Sequence, residues 1–177
     1  MRTSFDAADV QQAVERLVGQ VSAAFPSDQP LCIIGIRTRG ETLAQRLTQQ
    51  LRQKGFTIER GVLDITLYRD DLSQAGAGAV VRPTDIAIDI QGKAVLLVDD
   101  VLFTGRSTRA ALDALVDFGR PRLIRLAVLV DRGGRELPIQ ADFVGLALRD
   151  IPVDHRVNVR LLEDDGQDQI TVEPRRP

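Results

Sequence analysis

Two carboxylates stand side by side at Asp99 and Asp100, and shortly after them Thr104, Gly105, Arg106, Ser107 and Thr108 gather hydroxyls, a glycine and a guanidinium. Adjacent carboxylates are good acceptors for a vicinal diol such as that of ribose, and poor neighbours for phosphate unless a cation or donors intervene. Hydroxyls and unpaired backbone N–H groups at a helix start hold an anion, and Gly105 lets the backbone approach it closely. Taken in this order, the residues read as a cradle for a sugar phosphate. Either half alone would read as a strand end or an ordinary helix cap. The loop lacks the terminal Gly-Lys-Ser/Thr of a nucleoside-triphosphate loop and is not a G-x-G-x-x-G dinucleotide turn, which excludes both of those chemistries.

The elements that must position these groups are legible from periodicity. Residues 94–98, AVLLV, form a continuous apolar run of the kind found in buried parallel strands, and 107–119 returns to helical period before Gly119 and Pro121. Residues 122–131 form the next strand, at a distance that suits a right-handed crossover. Upstream, a helix is predicted over 6–25 from Val10, Val14, Leu17, Val18, Val21 and Phe25, with Pro26 as its stop. A strand follows at 31–36, LCIIGI, then a helix over 41–54 that ends at Gly55, and extended structure over 56–68. Segment 69–85 loses periodicity and accumulates Gly, Ala and charge, as a lid or an unstructured stretch would. The apolar runs 142–148, 157–162 and 169–172 read as smaller strands capping or edging the sheet. The expected fold is α/β, with ligands at the carboxyl ends of the strands.

Residues 95–107, VLLVDDVLFTGRS, resemble the signature of the type I phosphoribosyltransferases. The likeness extends to GIRTRGETLAQRL (35–47), GVLDITLYRDDLS (61–73), the run 89–122 and LAVLVDRGGRELPIQADFVG (126–145), which are similar to the PyrR family of pyrimidine operon regulators with uracil phosphoribosyltransferase activity. This resemblance implies one phosphoribosyltransferase domain over 1–177: a central, mostly parallel sheet flanked by helices, with a small hood and a mobile lid loop. It implies conversion of uracil and phosphoribosyl diphosphate to UMP and diphosphate. Mg2+ would be the cofactor, held mainly through the substrate rather than in a protein cage.

Matched positions inherit expected roles. Thr38, Arg39 and Gly40 resemble a diphosphate loop, with Arg39 beside Asp99 and Asp100 as the catalytic set. Asp99, Asp100, Val101, Leu102, Phe103, Thr104, Gly105, Arg106, Ser107 and Thr108 would hold the ribose phosphate. Val130, Asp131 and Arg132 would face the uracil, with Val157 near that pocket. Tyr68, Arg69, Asp70 and Asp71 would root the lid.

The family also implies a pyrimidine operon leader RNA as partner, but the chain departs from the family's RNA-facing pattern. An Arg-Ile-Ala-His-Glu run in the first helix is replaced by ERLVGQVSAA (15–24), Gly-His-Arg-Glu by Gly133-Gly134-Arg135-Glu136, and a Lys- and hydroxyl-bearing segment by Gly145 to Ile151. Arg135, Arg149, Arg156 and Arg160 are the arginines left to form a patch. The expectation is uracil transfer with weak, nonspecific RNA binding; the alternatives are an RNA-binding regulator with secondary catalysis, or transfer to another base.

Composition bounds the rest. With 23 basic and 25 acidic residues, a net charge of -2 and 44% hydrophobic residues, the chain reads as a soluble globular protein with no overall pull toward nucleic acid. Cys32, the single cysteine, reads as a small buried hydrophobe, and no Cys/His cluster suggests a metal cage. His155 falls in a polar segment and reads as exposed. No run approaches the roughly 18 apolar residues of a membrane span, so a cytoplasmic protein without membrane contact is expected. The resemblance further implies a homo-oligomer, a dimer or larger.

Overall fold

The computed structural model describes residues 2–68 and 84–175. The expected lid residues Arg69, Asp70 and Asp71 lie outside the described residues. Five strands, β2 (Leu31–Ile36), β3 (Ile58–Leu63), β4 (Ala94–Leu102), β5 (Leu123–Asp131) and β6 (Phe143–Ala147), form one parallel sheet in the order β3-β2-β4-β5-β6. The chain runs from β2 outward to β3 and returns to β4 on the other side of β2. The strand order therefore reverses between β2 and β4, and a crevice opens at their carboxyl ends.

Burial on both faces explains why these strands read as apolar runs. Leu31 and Ile33 of β2, with Ala94, Leu96 and Val98 of β4, pack against helices α1 (Ala7–Ala24) and α2 (Arg39–Gln53). Cys32, Ile34, Val95 and Leu97 face the other way, toward α3 (Arg106–Leu115) and its buried Ala110, Ala111 and Ala114. Helix α1 starts at a capping box: the Asp6 side chain accepts from the Ala8 and Asp9 N–H groups, and Asp9 accepts from the Asp6 N–H. Its Gln20 side chain pairs with both the N–H and the C=O of Val144 and so covers the exposed edge of β6.

The hood is a separate antiparallel sheet in the order β1-β8-β7, made from β1 (Ser4–Phe5), β7 (His155–Arg160) and β8 (Gln169–Pro174), with a short helix α4 (Leu162–Asp165) between the last two. Its Val159, Leu161, Ile170 and Val172 join the same apolar core as α1 and α2.

Several sequence expectations shift. The helix read over 41–54 starts two residues earlier, at Arg39, so Arg39 and Gly40 are its first turn. The strand of 94–98 continues to Leu102, which places Asp99 and Asp100 inside β4 rather than after it. The helix of 107–119 ends at Leu115, followed by a 3-10 turn over Val116–Phe118. The strand read over 157–162 stops at Arg160, and Leu162 opens α4 instead. The 142–148 run edges the main sheet, whereas the last two runs form the hood. Asp85, at the end of the aperiodic segment, is bridged to Val62.

Candidate active site

Three strand ends and two helix starts surround a cavity of about 450 Å3. Ile36 ends β2, Arg37 and Thr38 follow it and Arg39 opens α2; after β3 come Asp64, Ile65 and Thr66; β4 supplies Asp99, Asp100 and Val101; α3 supplies Ser107. The position is the crevice at which the strand order reverses.

Close backbone approach builds the β2 side. A Cβ on Gly40 would lie 2.5 Å from the Val98 carbonyl oxygen and 3.2 Å from the Asp99 Cα, so the first turn of α2 can rest against β4 only where a side chain is absent. Thr38 caps α2 without a side-chain hydrogen bond, and the Arg37–Thr38 peptide is cis. Arg37 reaches Glu41 only through a long 3.7 Å ion pair, and its buried Nε has no hydrogen-bond partner among the described residues.

Asp99 is 8% exposed, and its Oδ1 accepts the Asp100 N–H at 2.9 Å. Burial, with the Asp100 charge adding to it, pushes the Asp99 carboxyl well above the ordinary carboxylate range. Asp100 accepts the Val101 N–H at 2.9 Å. Across the cavity, Gly105 takes a left-handed conformation (φ 92°) and caps α3 with no side chain of its own; the Arg106 N–H of the first turn is taken by the Thr104 hydroxyl at 3.3 Å. Asp64 accepts from the Thr66 N–H and hydroxyl at 2.8 and 2.5 Å.

Of the residues singled out in the sequence, Thr38, Arg39, Asp99, Asp100, Val101 and Ser107 line this one cavity. Gly40 forms the α2 contact behind it. Leu102 is buried in the sheet, Thr104 takes the Arg106 N–H on its Oγ1, Arg106 pairs with Glu136, and Thr108 is buried in α3.

The base-side candidates do not border the cavity. Val130 is fully buried, Asp131 is engaged by Arg135 and Gly133, and Val157 is half-buried against the hood core. Arg132 is 5% exposed, stacks on the Phe103 ring at 3.8 Å and donates to the His155 and Pro152 carbonyls, which ties β5 to the hood. Tyr68 ends a 3-10 turn and its hydroxyl donates to Asp117.

Arg37, Asp64 and Thr66 escaped the sequence reading. The signal was present for Asp64, which follows a parallel strand directly, because such strand ends are where ligands bind.

Of the four arginines expected to form a patch, Arg135 turns inward, and so does Arg16 of the first helix. Arg135 donates to the Phe103 and Ile139 carbonyls and to Asp131, and Arg16 donates to the Gly145 carbonyl. Arg149, Arg156 and Arg160 are exposed. His155 is half-buried rather than exposed, with its Nδ1 2.9 Å from Asp154.

The hood reaches α2 through acidic side chains. Arg39 donates from Nη2 to Asp165 at 2.7 Å and from Nε at 3.1 Å; Thr42 donates to Asp164 at 2.6 Å; Arg46 is shared by Glu163 and Asp168.

The phosphoribosyl transferase domain family matches residues 5–163. The chain is 51% identical over 164 residues to the "Bifunctional protein PyrR" of Roseiflexus sp. (strain RS-1), covering 91% of this chain and 88% of that protein. It is 49% identical to the protein of the same name from Thermus aquaticus, covering 93% and 91%. Among solved structures it superposes on a hypoxanthine phosphoribosyltransferase of Trypanosoma cruzi with a TM-score of 0.71 at 17% identity, covering 98% of this chain and 97% of that one. A hypoxanthine-guanine phosphoribosyltransferase of Bacillus anthracis gives 0.70 at 18% identity, covering 97% and 98%. At such identity these two likenesses speak for the fold, which is the type I phosphoribosyltransferase fold. The chain belongs to the phosphoribosyl transferase domain family and, within it, to the PyrR proteins.

Proposed function

We propose that this protein is a uracil phosphoribosyltransferase, converting uracil and phosphoribosyl diphosphate to UMP and diphosphate. The observation that carries the reading is the convergence of Arg37, Arg39, Asp99, Asp100 and Ser107 on one polar cavity. In the reaction a uracil ring nitrogen gives up its proton, which passes to solvent or to the departing diphosphate, and bonds to the anomeric carbon as the bond to the diphosphate oxygen breaks and that electron pair leaves with diphosphate. Asp99 and Asp100 accept hydrogen bonds from the ribose hydroxyls. The first turn of α3, with Thr104, Gly105, Arg106, Ser107 and Thr108 about it, takes the 5-phosphate. Thr38, Arg39 and the start of α2 take the diphosphate, where a guanidinium and free N–H donors offset the charge that develops on the leaving group. Val130, Asp131, Arg132 and Val157 lie outside this cavity, so the base side of this reading rests on main-chain groups at the end of β5 rather than on their side chains.

Mg2+ is the proposed cofactor. Asp64, Asp99 and Asp100 line the cavity, and hard carboxylate oxygens beside a diphosphate site suit an ion held mainly through substrate oxygens. Asp99, Asp100 and Asp64 are the carboxylates at hand, and a bound cation would neutralise diphosphate charge. The proposal includes a homo-oligomer working in the cytoplasm; among the described residues no helix is long and apolar enough to cross a membrane.

The relatives are named bifunctional, and the second role we propose is an attenuated form of operon regulation through leader RNA, weakened because Arg16 and Arg135 are spent on internal contacts. Diphosphate release from phosphoribosyl diphosphate and Mg2+, measured with each free base in turn, tests the enzymatic reading. Uracil is expected to give the highest kcat/KM. Preference for a purine base would replace uracil in the assignment.

A further inference from the structure

Arg39 lines the cavity and is also held by the hood. Its partner, Asp165, is fixed before the two meet: Asp165 Oδ2 also accepts the Leu161 N–H at 3.0 Å, which anchors the carboxylate within α4. Hydrogen bonding from Arg39 holds the Asp165 carboxyl below the ordinary carboxylate value, so it is charged at neutral pH. The pair is side-on, occupying the Nε and Nη2 edge of the guanidinium. A guanidinium is planar and rigid, so a partner on one edge sets the direction of the rest. The donors left for an anion are chiefly those of Nη1, on a residue that lines the cavity. Holding the hood against α2 does not depend on this pair, because the contacts of Thr42 with Asp164 and of Arg46 with Glu163 and Asp168 join the same two elements.

We infer that Asp165 is a positioning residue for the diphosphate half of the substrate: it clamps Arg39 side-on from the hood and presents the guanidinium's free edge to the leaving group. The inference rests on the proposed role of Arg39 in holding diphosphate. It makes a hood carboxylate, repulsive toward diphosphate by charge alone, favourable to its binding through the arginine it orients.

The test compares three variants of the full chain. Asp165→Asn keeps the shape but loses the charge and one acceptor. Glu163→Gln combined with Asp168→Asn loosens the hood at Arg46 without touching Arg39. Arg39→Gln removes the residue being positioned. For Asp165→Asn, KM for phosphoribosyl diphosphate and the inhibition constant of inorganic diphosphate should both rise roughly three- to tenfold, the scale of a partly exposed ion pair with a positioning effect. KM for uracil and the unfolding temperature should change little. The Glu163→Gln, Asp168→Asn pair should lower the unfolding temperature and leave both constants in place. If the two hood variants raise KM for phosphoribosyl diphosphate alike, Asp165 acts only through hood stability and the inference is overturned. It is also overturned if Arg39→Gln raises that KM while Asp165→Asn does not. If Arg39→Gln leaves KM unchanged, the diphosphate role of Arg39 falls, and the inference with it.

Discussion

Asp99 is buried where a charge is costly, and the fold keeps it there beside a second carboxylate. Its raised pKa makes a signed prediction. As pH climbs through the ordinary value of 3.8, the unfolded chain loses this proton while the folded chain keeps it, so the group subtracts stability across the window above 3.8. Asp99→Asn can still accept the Asp100 N–H and never ionises. Thermal unfolding followed against pH should therefore show the variant more stable than wild type at pH 7, with the gap closing as pH falls below about 4. A variant less stable at neutral pH would show that the Asp99 charge is supported by its surroundings. The acidic pair was legible in the sequence because adjacent carboxylates before a hydroxyl-rich loop are informative without tertiary context. Arg39 was legible as a candidate, but its partner was not, since Asp165 lies 126 positions away. Arg135 was read as part of an exposed patch because its acceptors include the Phe103 carbonyl, 32 positions away, which no local pattern reports.

At the scale of elements, the site depends on how closely α2 and β4 pass. Gly40→Ala poses two opposed effects: alanine favours the helix by about 1 kcal/mol over glycine, while its Cβ would lie 2.5 Å from the Val98 oxygen. Overpacking against backbone costs about 1–3 kcal/mol, so the steric effect should win. Chemical denaturation should show lower stability, and KM for phosphoribosyl diphosphate should rise because the first turn of α2 is displaced; an alanine variant more stable than wild type would contradict the packing account. Arg132→Met tests the joint between β5 and the hood. It removes donors from the His155 and Pro152 carbonyls and should cost roughly 2–4 kcal/mol, measured by the same denaturation; a loss below about 0.5 kcal/mol would mean the joint is held elsewhere. Helices and parallel strands were legible because their apolar periods differ. The hood was legible only as unplaced short runs: β1 spans two residues, too few for any period, and Leu161 with Leu162 fits a strand end as well as the start of α4.

For the whole molecule, a net charge of -2 offers phosphate no general attraction, and the exposed arginines of the altered face reduce to Arg149, Arg156 and Arg160. Specific reading of an RNA hairpin also needs groups that contact splayed bases or 2′-hydroxyls. Titration of the chain's own operon leader RNA against a scrambled control, with and without UMP, is expected to show weak binding with little preference; tight, UMP-strengthened selectivity would restore RNA recognition in full. Catalysis should be unaffected by that loss, because the cavity lies at the carboxyl ends of β2, β3 and β4 and draws on none of those arginines. The most direct measurement is the formation of labelled UMP from labelled uracil, phosphoribosyl diphosphate and Mg2+, run side by side for the wild-type chain and for Asp99→Asn with Asp100→Asn. The account predicts turnover in the first and a loss of at least about 100-fold in the second, with circular dichroism unchanged. No UMP from the wild-type chain, or an undiminished rate in the double variant, would contradict it.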